Sequence, residues 1–105
     1  MIFLLRLILG EAINENELGY VGQVTKVNRD LLEILLEKDH IPVIAPLGIT
    51  AAGQWLNINA DEVACKVAAT LQAEALYLLT DVPGIKQQGS WLKKVSLAAV
   101  DQLVK

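Results

Sequence analysis

The sequence predicts an α/β fold built on a mostly parallel, open sheet. Helical and apolar extended stretches alternate from residue 29 onward, as strand–helix crossover units require. Two of the extended stretches, Ile41-Pro42-Val43-Ile44-Ala45-Pro46-Leu47 and Glu74-Ala75-Leu76-Tyr77-Leu78-Leu79-Thr80, are near-continuous apolar runs, the pattern of strands covered on both faces. A length of 105 residues, 53% hydrophobic and 20% charged, suits one collapsing domain rather than two modules or a disordered chain. At this size the core has little margin, so marginal stability or self-association is the expectation.

Residues 2–9 are apolar and read as a strand; the stretch is interrupted by Arg6 and too short to cross a bilayer. Acids, Asn and Gly from Gly10 to Gly19 make a loop or ragged hairpin, and Leu18–Val24 a second short strand. Asn28 caps a helix over Arg29–Lys38, with Leu31, Leu32, Leu35 and Leu36 recurring at one-turn spacing. The run 41–47 follows, with Pro42 and Pro46 near its ends. Gln54–Ile58 is extended, and Asn59 caps a helix from Ala60 to Leu71 that presents Val63, Ala64, Val67, Ala68 and Leu71 inward. The run 74–80 ends at Val82-Pro83-Gly84-Ile85, with Pro and Gly in the central positions of a type II turn. Gly89–Val95 forms a short hairpin arm, and Ser96 caps a last helix over Leu97–Val104.

A net charge of −3, with the nine Lys and Arg scattered along the chain, disfavours nucleic acid as a partner. One cysteine, Cys65, and one histidine, His40, allow neither an internal disulfide nor a Ser-His-Asp or zinc constellation. These features point to a cytoplasmic protein without membrane association. Cys65 is expected as a packed thiol on the apolar side of its helix, and Trp55 and Trp91 as packing or lid residues. Neither G-x-x-x-x-G-K-[ST] nor G-x-G-x-x-G occurs.

Open α/β sheets bind ligands beyond the carboxyl ends of their strands, which brings forward Pro46-Leu47-Gly48, Asn57-Ile58-Asn59-Ala60-Asp61 and Thr80-Asp81-Val82-Pro83-Gly84. The Asn57 amide can grip a ligand carrying both amide and carboxylate, or serve as a turn amide. Asn59 and Asp61 suit a helix cap and first turn; Asp61 can equally orient ammonium groups near a transferring phosphoryl group. Thr80 and Asp81 can accept from a ribose or an ammonium, or act as an Asp-initiated turn.

In this order and spacing, Leu18-Gly19-Tyr20-Val21-Gly22-Gln23-Val24, Ile41–Gly48, Asn57–Asp61 and Leu78-Leu79-Thr80-Asp81-Val82-Pro83-Gly84-Ile85 resemble the middle of the acetylglutamate kinase branch of the amino-acid kinase family. The resemblance runs from about Arg6 to Lys105, and the Asn-Ile-Asn-Ala-Asp and Thr-Asp-Val-Pro-Gly-Ile elements are specific to that branch. It implies a three-layer α/β/α fold, here incomplete, with residues 1–105 forming the middle of a single partial domain. It also implies transfer of the γ-phosphoryl of ATP, with Mg2+, to the side-chain carboxylate of N-acetyl-L-glutamate, a step of arginine biosynthesis. By the same resemblance Asn57, Asn59 and Gly48 bind the substrate, Asp61 organises catalytic lysines, and Thr80 with Asp81 lies on the nucleotide side.

The family's first-strand lysine and its loop, its Gly-Gly-Gly phosphate loop, its substrate-binding arginine and its later catalytic lysine have no counterpart in these 105 residues. No direct protein ligand for the metal is identified. Losing one stabilising donor costs about 100- to 1000-fold in rate, so the expectation is a chain inactive by itself. The alternatives are a non-catalytic remnant that pairs with itself or with a fuller subunit, and an amino-acid kinase for another acceptor.

Overall fold

The computed structural model describes residues 6–13 and 19–103. Strand β1 (Ile8–Ala12) pairs antiparallel with β2 (Val21–Val27), and helix α1 (Arg29–Glu37) follows. The short β3 (Leu47–Ile49) pairs antiparallel with β4 (Trp55–Ile58), which leads directly into α2 (Ala60–Leu71). A two-residue hairpin, β5 (Lys86–Gln87) and β6 (Ser90–Trp91), and α3 (Leu97–Leu103) complete the order. Parallel pairing of β2 with β4 and of β1 with β3 closes the first four strands into a barrel in the order β1-β2-β4-β3.

The α/β class holds, but the sheet is small and mixed rather than mostly parallel. The difference lies in the two apolar runs. Residues 41–45 form no strand: Ile41 is 90% and Val43 96% exposed, while Pro42, Ile44 and Pro46 turn inward. Residues 75–80 also form no strand, and Leu79 is 99% exposed. An unbroken apolar run reports that burial is favourable, but a strand exists only where a neighbour supplies the ladder, and among the described residues neither 41–45 nor 75–80 has one.

The helices follow their local signals. Asn28 caps α1 by accepting from the Leu31 amide at 3.2 Å, and only Leu32 of its leucine stripe is fully buried. Ser96 Oγ accepts from the Ala99 amide at the start of α3. Gln72 ends α2 in the left-handed conformation, with the Ala73 amide donating back to the Ala68 carbonyl. The hairpin arm begins three residues before its expected place, at Lys86. Of the first expected strand, residues 2–5 lie outside the described residues, as do residues 14–18 of the following loop and Leu18 of the second strand.

Ile8, Val27, Leu32, Leu56, Ile58 and Val63 form the core, with Leu7, Val24, Ile44, Val67 and Leu71 packed against it. All of it lies between residues 7 and 71. The radius of gyration, 16.3 Å, exceeds the roughly 13 Å of a compact chain this long, consistent with a C-terminal third that adds little to the core. Leu56 fills the centre of the barrel because Gly22 leaves room: a Cβ on Gly22 would lie 2.6 Å from Leu56 Cδ1 and 2.9 Å from the Glu11 carbonyl oxygen. Backbone cannot yield as a side-chain end does, so Gly22→Ala is expected to cost about 1–3 kcal/mol of stability, read as a lowered urea midpoint.

Candidate functional site

The site is built where β4 passes into α2. Asn57 stands in β4 between Val21 of β2 and Leu47 of β3, and its backbone N–H donates to the Tyr20 carbonyl at 2.8 Å. The adjoining Ile58 amide donates to the Pro46 carbonyl at 3.1 Å. One end of the barrel therefore gathers the Gly19–Gly22 segment, Pro46–Gly48 and Asn57–Asp61, and the Asn57 side chain is exposed there.

Asn59 is extended at φ −56°, ψ 127°, and its Oδ1 accepts from the amides of Asp61 at 2.9 Å and Glu62 at 3.2 Å. The cap thus uses the acceptor of Asn59 and leaves its NH2 as a donor for a ligand. Asp61 is exposed in the first turn, where the helix dipole favours a carboxylate. Among the described residues the ion pair is Arg29–Glu33, at 2.7 Å, so no cation is held against Asp61.

Gly48 is not the turn after a strand. It is buried inside β3 opposite Leu56, and a Cβ there would lie 2.5 Å from Ile58 Cδ1. The glycine allows β3 to approach the core at this point.

Thr80 and Asp81 lie on the exposed stretch after α2. Thr80 Oγ1 accepts from the Val82 amide at 3.4 Å, and Gly84 takes φ +136° in the turn that follows. Cys65 is exposed rather than packed, because it faces away from the stripe that includes Val63 and Val67. His40 is exposed, and Trp91 lies under the Lys86 ammonium, 5.4 Å from the ring centroid. Among the described residues no three His, Cys, Asp or Glu side chains group to hold a metal, and no helix is long and apolar enough to cross a membrane.

Two contributors were not legible beforehand. Glu62 accepts from the Val24 amide at 3.3 Å, and the Tyr20 carbonyl anchors Asn57. The acid in the first turn of a helix was the available signal for Glu62, but dipole complementarity already accounts for such a residue.

Comparison with known proteins places this strand-to-helix junction in a defined class. The model of the amino acid kinase family matches residues 4–102, and the chain belongs to that family. Within it, the chain is 50% identical over 97 residues to an acetylglutamate kinase of Listeria monocytogenes serotype 4b, covering 92% of this chain and 39% of that protein. An acetylglutamate kinase of Leuconostoc mesenteroides is 45% identical over 100 residues, covering 95% of this chain and 41% of that protein. Among solved structures, smu.665 from Streptococcus mutans superposes with a TM-score of 0.84 at 37% identity, over 93% of this chain and 40% of that one. The N-acetylglutamate synthase of Neisseria gonorrhoeae superposes with a TM-score of 0.79 at 26% identity, over 93% of this chain and 24% of that one. The chain thus spans about two fifths of the length of the acetylglutamate kinases it matches.

Proposed function

We propose that the chain is the acceptor-gripping segment of an N-acetyl-L-glutamate 5-phosphotransferase, the activity that forms N-acetyl-L-glutamyl 5-phosphate from ATP and N-acetyl-L-glutamate. The supporting observation is the Asn57–Asp61 junction, set beside the Gly19–Gly22 segment, in a chain half identical to an acetylglutamate kinase. N-acetyl-L-glutamate offers an amide and two carboxylates. The Asn57 side chain and the Asn59 NH2 supply the matching donors and acceptor, Gly48 keeps the neighbouring strand close, and Asp61 is the carboxylate that would hold ammonium groups. Thr80 and Asp81 are assigned to the nucleotide side. In the complete three-layer fold, residues 41–45 and 75–80 would gain the strand neighbours they lack here.

Beyond Thr80 and Asp81, the residues present offer no cradle for the phosphates of ATP and no ligand set for Mg2+. No glycine-rich phosphate loop occurs in the sequence, no cation sits against Asp61 and no acidic group of three exists among the described residues. The isolated chain is therefore assigned binding without turnover. Titrating the 15N-labelled chain with N-acetyl-L-glutamate, with L-glutamate as control, tests the reading. Shifts of the Asn57, Asn59 and Gly48 amides, specific to the acetylated ligand and lost in Asn57→Ala, are expected. No shift, or an equal response to glutamate, would reject the substrate. Steady acetylglutamate-dependent ADP release abolished by Asp61→Asn would instead reject the assignment of inactivity.

A second reading is favoured by one observation. Ile41, Val43, Tyr77 and Leu79 are 90%, 96%, 86% and 99% exposed, large apolar side chains left almost bare on two separate stretches of chain. A non-catalytic module that associates with itself or with a fuller subunit would cover those side chains.

A further inference from the structure

Just before β2, the carbonyl of Tyr20 points to β4, where it accepts from Asn57, and residues two apart along an extended chain direct their backbone groups to the same side. The Val24 N–H therefore faces the β4 side as well. Pairing between the two strands stops at Gly22 opposite Ile58, because the chain then turns into α2. The Val24 amide would be the first donor left without a ladder partner. Glu62, from the first turn of α2, takes that place: its Oε1 accepts from Val24 at 3.3 Å across 38 residues of sequence.

The same residue is tied to the other side of the junction. Its own backbone N–H donates to Asn59 Oδ1 at 3.2 Å, and its side chain is half-buried. Glu62 thus bridges the cap residue Asn59 and the Gly19–Val24 segment, the two parts that face each other at the barrel end. Val24 also borders an irregularity in β2: Leu9 opposes Lys26 while Gly10 opposes Val24, leaving Thr25 as an extra residue. A bulged strand has its local direction set by few ladder bonds, so a fixed acceptor at Val24 has leverage over where the segment lies.

We infer that Glu62 is a positioning residue that fixes the Asn57–Asp61 junction against the Gly19–Val24 segment, and so sets the geometry of the acceptor pocket; this rests on the acceptor-binding reading given above. Its role differs from that of an acid that merely complements the helix dipole. A glutamine retains the accepting oxygen without the charge, so positioning survives Glu62→Gln, whereas dipole complementarity does not.

The experiment compares Glu62→Ala and Glu62→Gln in the full chain, by amide hydrogen exchange and by N-acetyl-L-glutamate titration. In Glu62→Ala, exchange at Val24 and Asn57 is expected to rise about tenfold while the Asn28 amide, which donates to the Leu7 carbonyl at the far end of the β1–β2 pairing, keeps its protection, and acetylglutamate affinity falls by about the same factor. Glu62→Gln is expected to restore both. Unchanged Val24 exchange and affinity in Glu62→Ala would overturn the inference, as would a Gln variant no better than Ala. Glu62→Met, which keeps the length without an acceptor, replaces the Ala variant if that one unfolds. If the unmodified chain does not bind acetylglutamate, the acceptor assignment fails, while the exchange at Val24 and Asn57 still decides the role of Glu62.

Discussion

Leu56→Ala is expected to destabilise the chain by about 2–5 kcal/mol, a large share of the about 5–15 kcal/mol that holds an ordinary domain folded. Leu56 is 1% exposed at the centre of the barrel, and its neighbours there are strands held in register by backbone bonds, which cannot collapse into the space it vacates. Urea unfolding should show a midpoint lower by about 1 M or more with an unchanged slope, or no folded baseline at all. The geometry also predicts coupling. The space freed by Leu56→Ala is where a methyl on Gly22 would go, so Gly22→Ala should cost less in the Leu56→Ala background than alone. Strict additivity of the two would show that the glycine answers to the Glu11 carbonyl rather than to the leucine.

The second large effect concerns association. Val43 and Leu79 are almost fully exposed and lie on the two apolar stretches that found no strand neighbour. Replacing both with glutamate should leave thermal stability within about 0.5 kcal/mol, because neither side chain contributes to the core. Light scattering should change far more: the unsubstituted chain is expected to run as a multimer and the Val43→Glu/Leu79→Glu chain as a monomer. A clean monomer before substitution would remove the self-association reading and leave the acceptor-binding reading as it stands.

Much of the fold was legible because the deciding physics was local. Asn28, Asn59 and Ser96 each offer a side-chain oxygen immediately before an apolar period of 3.6, and each accepts from the first turn of a helix. Residues 41–47 and 74–80 misled for the converse reason: apolar content expresses a demand for burial, and the supplier of that burial lies elsewhere in space. β3, three residues long, was invisible because its existence depends on β4 and on Leu9.

The candidate site divides the same way. Asn57, Asn59 and Asp61 are marked by a motif and by their place at a strand-to-helix junction. The close approach that Gly48 permits depends on Ile58, ten residues on, and the bond from Val24 to Glu62 joins residues 38 apart. No local pattern encodes either. Thr80 and Asp81 carry an equally specific motif, but the strand that would aim them at the barrel end is not formed.

The barrel is closed by a single parallel pair, Leu9 with Ile49, whereas its other three seams hold two to five pairs each. That seam is where the ring is expected to open first. Opening there parts β1 from β3 while sparing the longer ladders, so it is the least costly sub-global excursion available to the barrel. For as long as the ring is open, the short edge of β3 becomes a bare template that another strand can copy. The same opening would loosen Gly48 and Leu47, so part of the proposed acceptor site and the point of first unzipping are one structure, and a ligand that bridges Asn57 to Gly48 would act as a clasp on it.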